Sequence, residues 1–137
     1  MTNIVIVDSS GFISFISQSD SNHQIAISIS QSIRKSNLST ILPGDVFSEI
    51  INTLGKKVSH DTALETANVI LESKEFIISE TTDKIRNSAL KIFKKQANSI
   101  SFTDCLVMAF ADHYHTNQIF GFDEIFKKNK YTRIGLD

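Results

Sequence analysis

Ile4-Val5-Ile6-Val7-Asp8-Ser9-Ser10 is the stretch whose reading decides the fold. Four β-branched or branched aliphatic residues in a row, with no polar residue on either face, read as a buried parallel strand. The run breaks on an acid and two hydroxyl side chains, which supply capping oxygens for a helix carrying Phe12, Ile13 and Ile16.

The same alternation continues outward from this start. Ile25, Ile29 and Ile33, spaced four apart, predict a helix from Asn22 to about Lys35. Ser39 to Leu42 reads as a short strand, which Pro43 stops. Pro43 then suits the first turn of a helix running to Leu54, with Gly55 as its terminator. Ser59 or His60 opens a further helix with Ala63, Ala67, Val69 and Ile70 on its apolar face, and Glu75 to Ser79 reads as a strand. Thr81 or Thr82 caps a helix through Gln96, with Ile85, Ala89, Ile92 and Phe93 inward. The helix from about Thr103 to Tyr114 is apolar almost all round, which marks it as central and buried. Ile119 to Phe122, Glu124 to Lys128 and Tyr131 to Ile134 read as strand, short helix and last strand. Strands alternating with helices predict a three-layer α/β/α protein with a mostly parallel central sheet.

Composition agrees with a single domain spanning residues 1–137, long enough to bury a core. No apolar stretch reaches the roughly 18 residues of a membrane-spanning helix, and Met1-Thr2-Asn3 lacks the basic start of a signal peptide. One cysteine excludes an internal disulfide, and a cytoplasmic location is expected. The net charge of −1 does not mark a strong non-specific nucleic-acid binder. Basic residues instead gather locally, at Arg34-Lys35, Lys56-Lys57, Lys91-Lys94-Lys95 and Lys127-Lys128-Lys130-Arg133, where they flank an acidic pocket or simply solvate helix ends.

Four carboxylates carry the functional reading. Asp8 ends the first strand, Asp104 opens the buried helix, Asp123 follows Ile119-Phe120-Gly121-Phe122, and Glu49 lies within Pro43-Gly44-Asp45-Val46-Phe47-Ser48-Glu49-Ile50-Ile51. Right-handed crossovers bring the carboxyl ends of parallel strands to one edge, which gathers Asp8 and Asp123 there, with Asp104 able to face it from a helix N-terminus. Glu49, two turns into its helix, joins them only if packing allows. Acids collected in such a crevice repel one another, and a divalent cation such as Mg²⁺, which takes hard oxygen ligands and keeps waters, relieves that repulsion. The pattern points to metal-assisted phosphodiester chemistry.

In this order, the strand with Asp8-Ser9-Ser10, Leu42-Pro43-Gly44-Asp45-Val46-Phe47-Ser48-Glu49, Ser101-Phe102-Thr103-Asp104 and Phe122-Asp123-Glu124-Ile125-Phe126 resemble the PIN-domain ribonucleases, including the toxins of VapBC toxin–antitoxin pairs. The resemblance covers essentially the whole chain. It implies that Asp8, Glu49, Asp104 and Asp123 hold one or two Mg²⁺ or Mn²⁺ ions and activate a water for attack on phosphorus. It also implies that Ser10 assists beside the first acid and that Phe126 packs beneath the last. Thr103 and Glu124 are candidates for supporting contacts, Glu124 through a water. Gly121 departs from the family, many of whose members carry a hydroxyl residue two places before the final acid. Gly11 is a soft spot, since glycine in a first helical turn weakens it by roughly 0.5–1 kcal/mol relative to alanine.

The function so implied is a divalent-metal-dependent endoribonuclease that cleaves single-stranded RNA, the toxin of a toxin–antitoxin pair. Its implied partners are a small antitoxin protein and a second copy of itself. The second helix or the Val46-Phe47-Ile50-Ile51 surface is the candidate interface. The alternative is a non-catalytic PIN-like module that binds RNA or protein.

Taken alone, Asp8 and Asp104 read equally as helix caps, Asp123 reads better as a cap for the short helix after it, and Glu49 reads better as a solvated face residue. Asp45 is explained by its helix dipole, Asp112 as a structural partner, the histidines as solvated or capping, and Cys105 as an inert core thiol. A receiver-type phosphoacceptor fits badly, because the candidate central strand ends Ile77-Ile78-Ser79-Glu80 without an aspartate and Ser9 follows Asp8. A haloacid-dehalogenase-like phosphatase would need an acid where Ser10 stands.

Overall fold

The computed structural model describes residues 3–137. The chain runs β1 (Ile4–Val7), α1 (Ser9–Ile16), α2 (His23–Lys35), β2 (Ser39–Pro43), α3 (Gly44–Lys57), α4 (His60–Glu72) and β3 (Phe76–Ser79). It continues through α5 (Asp83–Lys94), α6 (Phe102–His113), β4 (Gln118–Phe120), α7 (Glu124–Lys128) and β5 (Thr132–Arg133).

The five strands form one sheet in the order β3-β2-β1-β4-β5. Every pairing is parallel, including the short last strand. The expectation of a mostly parallel sheet is met and sharpened. β1 lies at the centre, and its Val5, Ile6 and Val7 are fully buried, as an unbroken apolar run requires. β1 leads to β2 on one side and the chain moves on to β3 before returning to β4 on the other side of β1. That reversal makes the gap between the ends of β1 and β4 a topological switch point, where open α/β sheets bind ligands. By the right-handed crossover rule, α1–α4 then cover one face and α5–α7 the other. α6, with Cys105 to Ala111 all buried, forms the centre of the second layer.

Helix boundaries follow local chemistry. Ser59, Thr82, Ser101 and Asp123 each accept a hydrogen bond from a backbone N–H in the first turn of the helix they open. Four expectations need correction. α3 passes through Gly55 to Lys57, because a glycine without an unfavourable φ ends nothing by itself. In α2 the buried positions are Ala26, Ile29 and Ile33, and Ile25 is 45% exposed. In α4, Val69 is exposed and Thr66 buried, so the inward stripe runs three, then four residues apart. Phe93 of α5 is also partly exposed and rests edge-on against Phe102, with ring centroids 5.7 Å apart.

β3 is an edge strand, so its lack of a terminal aspartate does not weigh against a receiver. The central strand is β1, and it ends on Asp8. Val46 and Ile50 are fully buried in the core, which removes them from any docking surface. Among the described residues no helix is long and apolar enough to cross a membrane.

Candidate active site

Asp8 stands one residue past β1. Its backbone N–H donates to Phe120 O at 3.0 Å, carrying the β1–β4 ladder to the switch point. Its side chain caps α1 and is 3% exposed. Oδ2 accepts from Ser10 N at 3.1 Å and from Ser10 Oγ at 2.5 Å. Ser10 Oγ in turn accepts from Phe122 N at 3.0 Å, so one hydroxyl joins the first acid to the loop that carries the last. Burial pushes the Asp8 carboxyl up to about 7 against the pull of the Ser10 hydrogen bonds, and the charges of Asp104 and Glu49 raise it further.

α3 buries Val46, Ile50 and Leu54. This rotation leaves Glu49 half-buried and facing α1, where its Oε1 accepts from Ser9 Oγ at 2.7 Å. Asp104 lies in the first turn of α6, its backbone N–H held by Ser101 Oγ at 3.1 Å. Burial raises the Asp104 carboxyl, and Asp123 and Glu49 add to that shift against the hydrogen bonds from Ser101. Asp123 caps α7, its Oδ1 accepting from Ile125 N at 3.0 Å.

All four predicted acids are therefore within electrostatic reach of at least one other. Asp8 feels Asp104 and Glu49, and Asp104 feels Asp123 and Glu49. Capping and membership of the cluster are not rivals here, since Asp8 and Asp123 do both. As placed, however, no three His, Cys, Asp or Glu side chains among the described residues converge to hold one ion. The side chains of Asp8, Glu49 and Asp123 are turned towards Ser10, Ser9 and the Ile125 N–H.

The remaining candidates fall around this edge. Thr103 lines, with Glu49, an open groove of about 490 Å³. Glu124 is exposed beside Asp123 in the first turn of α7. Asp112 accepts from Tyr131 Oη at 2.8 Å, a structural contact. Cys105 is buried, and desolvation with the Asp104 charge pushes its thiol up to about 11, as an inert core thiol should be. His23 Nδ1 lies 2.9 Å from Ser14 O, and no histidine joins the acids. Part of the basic clusters is spent on ion pairs. Arg34 meets Glu75 at 3.4 Å, while Lys127 and Arg133 reach Asp137 at 3.8 and 2.9 Å. Arg133 Nη1 also donates to Phe122 O at 3.0 Å, so it braces the Asp123 loop and is not free for phosphate.

A PIN-domain family model matches residues 5–130. The chain belongs to the PIN-domain family. Seven chains of solved structures also match it, among them Mycobacterium tuberculosis VapC20, described as a Sarcin-Ricin loop cleaving toxin. That match covers 95% of this chain and 98% of the other with a TM-score of 0.82 and 17% identity, which establishes the fold. No curated protein sequence matches significantly.

In this PIN domain the departure at Gly121 has a steric cause. A Cβ there would lie 2.9 Å from Asp8 Cβ and 3.1 Å from Phe126 Cε2, so no hydroxyl side chain fits. Ser10 makes the supporting hydrogen bond from the other side. Ser9 escaped the sequence reading because its partner, Glu49, is forty residues away. Glu80, one residue past β3, escaped it although its place beyond a strand's carboxyl end was a usable signal. The donor set itself, four carboxylates with no nitrogen or sulfur ligand, matches the preference of Mg²⁺ or Mn²⁺. The upward shifts of Asp8 and Asp104 come first from burial, and the neighbouring carboxylates add to them, a repulsion that a bound cation would relieve. The residues fit such a cation in chemistry, and rotation of their side chains would be needed to bring three of them onto it.

Proposed function

We propose that this PIN domain is a divalent-metal-dependent endoribonuclease that cleaves single-stranded RNA and acts as the toxin of a toxin–antitoxin pair. The observation that carries this reading is the gathering of Asp8, Glu49, Asp104 and Asp123, from four separate segments, at the β1–β4 switch point. Under it these four residues hold Mg²⁺ or Mn²⁺. The bound cation would supply charge neutralisation at the scissile phosphate and lower the pKa of a water. The chain's own part is to orient the acids. Ser10 holds Asp8 and Ser9 holds Glu49, while Ser101 sets the first turn that aims Asp104. Thr103 and Glu124 flank the acids within reach of a bound RNA.

An RNA substrate and a single buried thiol support a cytoplasmic site of action. The antitoxin reading is supported by an apolar cleft of about 490 Å³ between α1, α2 and the β2–β3 edge, lined by Phe12, Phe15, Ile33 and Phe76. None of the four acids lines it, so a partner seated there need not occupy the candidate active site.

The test is cleavage of a mixed-sequence single-stranded RNA in Mn²⁺ by the wild type and by Asp104→Asn. Cleavage by the wild type alone is expected, and equal cleavage by both would overturn the assignment. The rival reading, a non-catalytic module, has one observation in its favour: the acids as placed do not form a ready three-ligand site. A thermal melt unchanged by Mn²⁺ would favour that rival.

A further inference from the structure

The open groove beside Glu49 has a composition that a phosphate-binding surface would not have. It is bounded by α3, by the residue that follows β3 and by Thr103 at the start of α6, and it spans about 490 Å³. No lysine or arginine lines it. Arg86 of α5 is turned to Asp83, at 3.0 Å. Two carboxylates outside the proposed metal set, Asp45 and Glu80, stand on its wall with Asn52. Asp45 is oriented by Thr81 Oγ1, which donates to its Oδ1 at 3.1 Å. Glu80 lies flat against Gly44, where an added Cβ would come within 2.5 Å of Oε2 and 2.9 Å of Oε1. Gly44 thus makes room for this carboxylate. No hydrogen bond from the described residues occupies either Glu80 oxygen, and the Asn52 amide is likewise free of partners.

A groove with this lining repels a phosphodiester and attracts a neutral group rich in N–H donors. Ionised carboxylates only accept hydrogen bonds. Among the four RNA bases, guanine alone presents two adjacent donors, N1–H and N2–H, to a carboxylate. Adenine and cytosine set an acceptor beside their amino group, and uracil flanks one N–H with two carbonyls. Splayed bases of single-stranded RNA are read on these edges.

We propose that this groove is a nucleobase subsite selective for guanine, with Glu80 accepting from N1–H and N2–H and Asp45 and Asn52 as its polar surround. Glu49 and Thr103 join it to the acid cluster, so the guanosine read here neighbours the scissile phosphate. The inference rests on the RNA reading above and assigns a sequence preference to it.

The test uses short single-stranded uridine RNAs carrying one guanosine, inosine or adenosine, walked through each position. Binding is measured by fluorescence anisotropy in EDTA and cleavage in Mn²⁺. The wild type is expected to favour guanosine over adenosine by about ten- to a hundredfold, the range of one good bidentate contact, with inosine, which lacks the N2 amino group, between them. Glu80→Gln, exposed and checked for fold by circular dichroism, should bring the guanosine-to-inosine ratio close to one. Asp45→Asn serves as the second variant on the same groove. Cleavage without base preference, or a preference that survives both substitutions, overturns the subsite and leaves the nuclease intact. Guanosine-selective binding without cleavage supports the subsite and overturns the nuclease. Neither binding nor cleavage overturns both.

Discussion

Asp8 concentrates the tension of this molecule in one side chain. It is buried at the end of the central strand, near two other carboxylates, and its carboxyl is pushed up to about 7 from 3.8. Between those two values the folded chain holds a proton that the unfolded chain releases, so stability falls as pH rises from about 4 to 7 and stays low above that. Asp104, also raised, acts in the same direction. Asp137 has the opposite sign, because Arg133 holds it down to about 2, and its contribution is lost only in strong acid. Metal-free Asp8→Asn is therefore expected to be more stable than wild type at pH 8, by on the order of a few kcal/mol, with the difference shrinking at pH 5. Urea unfolding at the two pH values measures this, and a pH-independent difference would refute it. Ser10→Ala leaves Phe122 N without its partner and should cost about 1–3 kcal/mol. Under the proposed function it should also lower activity by about 10–100-fold, the usual effect of losing a residue that orients a metal ligand. The acids and Ser10 could be singled out in the sequence because motif position marks them, and their roles belong to the proposed function. Ser9 and Arg133 could not, since their roles come from contacts made elsewhere in the chain.

At the level of elements, α1 overrules helix propensity. Gly11 was expected to weaken its first turn, and alanine would normally strengthen it. A Cβ at this position would instead come within 2.8 Å of the Phe120 carbonyl carbon and 3.0 Å of its ring. The glycine lets α1 sit directly on β4 and places Asp8 beside the Asp123 loop. Gly11→Ala is expected to destabilise the protein by about 1–3 kcal/mol, the range for overpacking, and a rise in the thermal midpoint would contradict this. Helix starts were readable from Ser59, Thr82, Ser101 and Asp123 because a cap is a local hydrogen bond. The buried faces of α2 and α4 were read less well. Their Ala26 and Thr66 turn inward, and the packing that selects this face is made by other elements and is not written in the helix's own sequence.

For the whole molecule, the proposed cation is a stability question before it is a kinetic one. A ligand that binds only the folded state stabilises it by about 2.7 kcal/mol at a hundred times its Kd. Mn²⁺ should therefore raise the thermal midpoint, more at pH 8 than at pH 5, where Asp8 holds a proton and binds the ion poorly. Asp104→Asn should abolish most of that rise. An equal shift in the variant would place the ion elsewhere. The amino-acid sequence by itself determined the alternation of strands and helices, their parallel arrangement and which acids end them, because hydrophobic period and capping chemistry are local. Only the tertiary structure decided that β1 is central and β3 an edge, that Glu49 faces the other acids, and that Asp45 and Glu80 share a groove with it. Those outcomes depend on strand order and helix rotation, which are settled by the summed packing of residues far apart in the chain and leave no local pattern to read.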